Sequence, residues 1–159
     1  MLLPILLQSS SPSFLPDDAW ARISADVALA RSSTTIDFIR DDADAAEGEY
    51  TLRLTVHDPA GLTTNRWATS RTCRGVQEAV EALGSVPFPS VQMPRDATEI
   101  VMDGVAYSVR FSARYGSQLG GPLELRSNIG TPLAAFVDRM IATVQPCWSS
   151  YRLLPKPER

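Results

Sequence analysis

The sequence predicts an α+β fold: two layers, with a predominantly antiparallel sheet of about six strands and amphipathic helices on one of its faces. Three observations predict it. The segment YTLRLTVHDPAG runs an alternating apolar-polar stretch into a reverse turn. Two segments, 73–83 and 133–144, carry apolar residues at helical spacing. A proline-bearing stretch, SVPFPSVQMPRD, separates two parts that each read as strand-strand-strand-helix. With one further helix ahead of them, the expected order is an N-terminal helix followed by two strand-strand-strand-helix halves.

The elements follow in chain order. Pro16-Asp17-Asp18 suits the first turn of a helix, where proline lacks a needed donor and acids meet the positive dipole end. Trp20, Ile23 and Val27 then fall on one helical face, so a helix is expected to about Ser32. TTIDFIR alternates as a strand, and the acidic RDDADAAEGE reads as a loop. In the next strand Tyr50, Leu52, Leu54 and Val56 point one way, and Thr51, Arg53 and Thr55 the other. Asp58-Pro59-Ala60-Gly61 turns the chain, because proline presets φ and glycine accepts the left-handed exit. LTTNRWATSR returns as a strand. Thr72 is the expected cap of a helix that starts at Cys73, with Cys73, Val76, Val80 and Leu83 as its apolar stripe and Gly84 as its stop.

In the second half Asp103-Gly104 is a type I′ hairpin signal. A two-residue loop there pairs Met102 with Val105 and Ile100 with Tyr107, on one face with Val109 and Phe111. GSQLGG is a loop and PLELRSN a strand. Thr131-Pro132 places a capping hydroxyl before a proline at the first helical position. Leu133, Phe136, Val137, Met140, Ile141 and Val144 form the apolar face of that helix, which Pro146 ends. The alternative architecture is an immunoglobulin-like β-sandwich, because YTLRLTVHDPAG resembles the strand-turn segments of bacterial sandwich repeats. The two amphipathic helices count against it.

With 44% hydrophobic and 21% charged residues, the chain suits one globular domain, assigned to 16–148. Residues 149–159 read as a loose tail. Residues 1–15 read as a degraded or truncated signal segment or a flexible tail. Leu2 to Leu7 resemble a short apolar signal core, but the segment lacks a basic start and a small-residue cleavage site. The same run is too short to cross a bilayer, so no integral membrane segment is expected. The net charge of −3 and the absence of a long basic run argue against a nucleic-acid partner. Lys156 is the only lysine, a bias that a GC-rich bacterial genome explains without any special role for arginine.

Cys73 and Cys147 are the only cysteines. If the two halves are related by a rough twofold axis, their helices lie side by side and antiparallel. The start of one, at Cys73, then meets the end of the other, at Cys147. A disulfide needs a Cα separation of roughly 4.4–6.8 Å. Such a bond would close a long loop, stabilise by about 4 kcal/mol, and fit an oxidising compartment. The rivals are a buried free thiol, or a reactive one at a helix start between Arg71 and Arg74. The reactive reading wants a base, and His57, the only histidine, belongs near the far end of the sheet hairpin.

Other chemistries find little support. His57-Asp58 could pair a base with an orienting carboxylate, although a histidine beside a turn is more often simply exposed. Asp41, Asp42, Asp44, Glu47 and Glu49 lack the spacing of a calcium loop and read as a solvated loop. Zinc lacks a ligand set, and Gly116 to Gly121 does not lead straight into a helix as a phosphate cradle does. No catalytic or dinucleotide-binding motif appears, and neither a metal nor a cofactor is expected. Trp67 is a candidate contact aromatic. If His57 pairs with Leu62, however, Trp67 falls opposite Leu52, in the core.

Two functional readings follow. The first is a small exported non-enzymatic protein, periplasmic or secreted, that binds another protein or a ligand in an inhibitor, immunity or assembly-accessory role. Its surface would be the open sheet face or the loops GSQLGG and PFPSVQMP. The second, which also admits a cytoplasmic protein, is a small-molecule binder or enzyme. Its site would lie between sheet and helices, with Arg110, Arg114 or Arg126 holding an anionic group. The placement of Arg53, Arg110 and Arg126 discriminates: convergence in a concave pocket favours the second, and dispersal over an open surface the first.

Overall fold

The computed structural model describes residues 14–39, 48–90, 104–114 and 120–152. Four strands, β1 (Ala19–Val27), β2 (Ser32–Ile39), β3 (Thr51–His57) and β4 (Thr63–Thr69), precede the helix α1 (Arg74–Leu83). Strands β5 (Val105–Ala113) and β6 (Gly121–Asn128) precede α2 (Pro132–Val144), and a short 3-10 turn, Gln145–Cys147, follows. The six strands form one sheet in the order β4-β3-β2-β1-β5-β6, with every neighbouring pair antiparallel.

One face of the sheet is apolar. Ala21 and Ile23 on β1, Ile36 and Phe38 on β2, Leu52 and Leu54 on β3, Ala68 on β4, Tyr107 and Val109 on β5, and Leu125 on β6 are all buried. They form one cluster with Val76 and Ala79 of α1 and with Leu133, Phe136, Val137, Met140 and Val144 of α2. Full burial of each such Ile, Leu or Phe contributes about 1.5–3 kcal/mol. α2 lies against β5, β6 and β1, and the two helices touch each other. Thr131 caps α2 as expected, its Oγ1 accepting from the Ala134 N–H at 3.1 Å. α1 begins one residue later than the Thr72 cap implied. Cys73 takes the cap position without a side-chain bond, and the Thr72 hydroxyl donates to the Thr69 carbonyl instead.

Three expectations are corrected. The segment expected as an N-terminal helix is β1, in the middle of the sheet. Its Ala21, Ile23 and Ala25 alternate with Arg22, Ser24 and Asp26, a strand's period of two. The helical spacing of Trp20 and Ile23 arises from a bulge. Ala19 pairs with Ile39 and Ala21 with Phe38, so Trp20 is the extra residue, and its ring meets Phe38 edge-on at 5.5 Å. Second, the hairpin across Asp103-Gly104 has no free strand edge to form on, since β5 pairs with β1 on one side and β6 on the other. Residues 97–102 lie outside the described residues. Among the described residues the sheet has six strands, with β1 beside β5. Third, the β3–β4 register differs by one. His57 pairs with Thr63 and Leu52 with Ala68, so Trp67 faces Arg53 on the opposite side of the sheet from the core.

The turn itself forms as read. The Asp58 carbonyl accepts from the Gly61 N–H at 3.0 Å, Gly61 has φ +82°, and the Asp58 carboxylate accepts from the Leu62 N–H at 2.8 Å. The left-handed residue before Leu62 makes this a three-residue loop, and that sets the register.

Candidate functional site

Face alternation sends one set of side chains away from the helices, and the pairing register aligns that set into rows that cross all six strands. The first row reads Trp67, Arg53, Asp37, Arg22, Arg110, Glu124 from β4 to β6. The second reads Asn65, Thr55, Thr35, Ser24, Ser108, Arg126, and the third Thr63, His57, Ser33, Asp26, Ala106, Asn128.

Asp37 anchors the first row. Its side chain is 1% exposed. It accepts from Arg22 Nε at 2.6 Å and Nη2 at 3.1 Å, and from Arg53 Nη2 at 2.9 Å. Arg53 also donates to Asp18 at 2.9 and 3.2 Å, so one guanidinium bridges two carboxylates. Burial works against the Arg53 charge, but Asp37 and then Asp18 outweigh it and hold the guanidinium above its ordinary range. At the other end Glu124 Oε1 accepts from Arg110 Nε and from Arg126 Nε, each at 2.7 Å. Burial alone would raise the Glu124 pKa; the two arginines outweigh it and hold it below the usual carboxylate range. Arg22 and Arg110 stand directly opposite each other, each turned to its own acid.

The second row is built of hydroxyls and amides. Ser24 and Ser108 share a buried hydrogen bond of 2.9 Å, and Thr55 donates to the Asn65 side-chain oxygen at 2.9 Å. In the third row His57 Nδ1 lies 2.8 Å from the Thr63 hydroxyl on the exposed hairpin.

Trp67, half-buried at the β4 end of the first row, has Arg53 5.8 Å from its ring centroid and Arg152 5.0 Å from it. A short C-terminal strap holds this corner. Trp67 and Ser149 exchange two backbone hydrogen bonds of 2.8 Å, an isolated antiparallel bridge on the outer edge of β4.

The discriminating arginines do not converge. Arg53 on β3 and Arg110 on β5 are separated by β2 and β1, about 14 Å at the usual strand spacing. Arg53 is committed to two carboxylates, Arg110 and Arg126 share one, and Arg114 lies exposed just past the end of β5. The depression beside Arg126, lined by Asp26, Ala106, Tyr107, Ser108, Ser127 and Asn128, measures about 420 Å³ and is partly open to solvent. Arg22, Asp37 and Glu124 are absent from the candidate site residues of the sequence, and Asp18 enters there only as a first-turn acid of the expected helix. The alternation ARISADV would have placed Arg22 on this face had it been weighed above the helical spacing.

Cys73 and Cys147 form a disulfide-bonded pair with a Cα separation of 5.6 Å. A Cβ at Gly75 would lie 2.6 Å from the Thr143 carbonyl oxygen and 3.2 Å from Cys147 Sγ, so a bare glycine lets the two helices approach here. Ala79 and Met140, further along, line the same small void, so the helices run in opposite directions. Among the described residues no three His, Cys, Asp or Glu side chains gather as a metal site would need, and no helix is long and apolar enough to cross a membrane. The acidic residues 41–47 and the loop 115–119 lie outside the described residues. Comparison with family models, curated proteins and solved structures returns no significant match.

Proposed function

We propose that this chain is an exported, non-enzymatic binding protein that engages a protein partner through the polar face of its sheet. One observation carries the reading: the arginines that would have to converge on a small anion are dispersed across an open face, and the charge of Arg53, Arg110 and Arg126 is met by carboxylates of the chain itself. A flat, hydrogen-bonding surface of ion pairs and hydroxyls suits another macromolecular surface better than a small ligand, which favours an enclosed cavity. The disulfide-bonded pair fits an extracellular or periplasmic protein and supports export.

The test is site-specific photo-crosslinking in the source organism. A photoreactive residue replaces Thr55 or Arg126 on the polar face, and, in parallel, Glu78 or Arg139 on the exposed helix surface. The expected result is one discrete adduct from the face positions, in the extracytoplasmic fraction, with an intact mass showing no free thiol. Adducts confined to the helix positions, or a cytosolic chain with two alkylated thiols, would overturn the proposal.

A further inference from the structure

The outer edge of β4 is a strand edge of which only part is occupied by the described residues. Asp58 N–H donates to the Leu62 carbonyl at the base of the hairpin. Ladder alternation then turns the backbone groups of Thr64, Arg66 and Ala68 toward β3, and those of Thr63, Asn65, Trp67 and Thr69 outward. Trp67 is taken by Ser149, and the Thr69 carbonyl accepts from the N–H groups of Thr72 and Cys73. Thr63 and Asn65 have no backbone partner on that side among the described residues. Residues 63–66 are all exposed. Between Ser149 and Arg152 the strap does not pair with them: the Tyr151 N–H bends back to the Ser149 hydroxyl, Tyr151 is 80% exposed, and Arg152 returns over Trp67. The opposite edge, β6, begins Gly121-Pro122 and carries Glu124 and Arg126, features that blunt an edge.

We infer that the β4 edge at Thr63–Arg66 binds an extended peptide segment of a partner protein as a seventh, antiparallel strand, with an acidic side chain opposite Arg66. The Ser149 bridge shows that this edge takes an antiparallel backbone partner at one position, Trp67. The outward groups of Thr63 and Asn65 make four backbone hydrogen bonds to two peptide residues two positions apart. The residue before the first of these lies beside Arg66, whose exposed guanidinium has no carboxylate partner among the described residues. The inference rests on the binding reading but not on the polar face as its surface.

The test uses the full chain, labelled with nitrogen-15, and the peptide EVTVT-amide, which begins at its glutamate so that no residue falls opposite Trp67. Its valines meet Asn65 and Thr63, and its glutamate meets Arg66. Titration is expected to slow amide exchange at Thr63 and Asn65 at least tenfold. N-methylation of both valines should weaken binding tenfold or more, and N-methylation of the intervening threonine, whose N–H points away, less than twofold. Arg66→Glu should weaken binding about fivefold, and a lysine in place of the peptide glutamate should restore it. Equal binding of the doubly N-methylated peptide, or shifts confined to residues away from β4, would overturn the inference. So would protection of Thr63 and Asn65 that rises with protein concentration before peptide is added, since the occupant would then be a second copy. Loss of the peptide effect while Thr55 and Arg126 still crosslink would end this inference alone; the converse would end only the polar-face assignment.

Discussion

Asp37 illustrates how one residue can hold a surface together. It is fully buried on the polar side of the sheet and accepts from two arginines that reach it from neighbouring strands. Removing one partner of such a group leaves the others desolvated and unmatched, at about 3–5 kcal/mol for a fully buried pair. Arg22 and Arg53 retain 26% and 21% of their side-chain exposure, so Asp37→Asn is expected to cost a discounted 2–3 kcal/mol, roughly. Urea unfolding measures it, and an unchanged midpoint would show the cluster to be ornamental to stability. Glu124 gives a pH signature. Its folded-state pKa is depressed because its two arginine partners outweigh its partial burial. Its contribution is therefore present in full above the unfolded value of about 4.3 and lost as pH falls through the folded one. Glu124→Gln should lower stability at neutral pH and flatten the acid limb of the stability curve below about pH 4.3. Melting temperature against pH for both proteins tests this; parallel curves would refute it.

At the scale of elements, the two helices meet where Gly75 faces the Thr143 carbonyl. Alanine is the better helix former by about 1 kcal/mol. A Cβ 2.6 Å from a backbone oxygen nevertheless forces one helix to move, and overpacking of this kind costs about 1–3 kcal/mol. Gly75→Ala is thus expected to lower the melting temperature despite the gain in propensity, and a rise would show that the contact yields. The β3–β4 hairpin teaches a different lesson. A one-residue difference in register moves Trp67 from the core to the polar face, because strand side chains alternate. The residues of the hairpin were legible in sequence, and its turn formed as read. Register depended on whether the Gly61 position counts as loop or strand.

For the whole molecule, the disulfide-bonded pair spans 74 residues and ties the start of α1 to the end of α2. It therefore constrains most of the chain between β4 and the C-terminal strap. The chain-entropy relation gives about 4.5 kcal/mol for a loop of this length. The double variant Cys73→Ser, Cys147→Ser is expected to lose stability on that order in urea, while Trp67 should also become more exposed because Ser149 follows the tether by two residues. Fluorescence of Trp67, read in a variant with Trp20 and Trp148 replaced by phenylalanine, would report this. No change on loss of the cysteines would show that the strap is held by its own hydrogen bonds.

The sequence by itself determined the local features: the turn at Asp58–Gly61, the Thr131 cap, both long helices, and strands β2 to β6. Each rests on contacts within a few residues, where periodicity and turn chemistry act. The pairing of Cys73 with Cys147 is present as expected, but the twofold relation between halves from which it was expected is not seen in the strand order. Tertiary structure alone decided three things. It made 19–27 a central strand, since only neighbours on both sides can satisfy its backbone and absorb the bulge at Trp20. It placed β1 beside β5, since the choice of sheet neighbour depends on long-range burial rather than on any local hairpin signal. It assembled Asp18, Arg22, Asp37 and Arg53 into one ion-pair group and Arg110, Glu124 and Arg126 into another, because residues from five separate segments become neighbours only once the strand order and register are set.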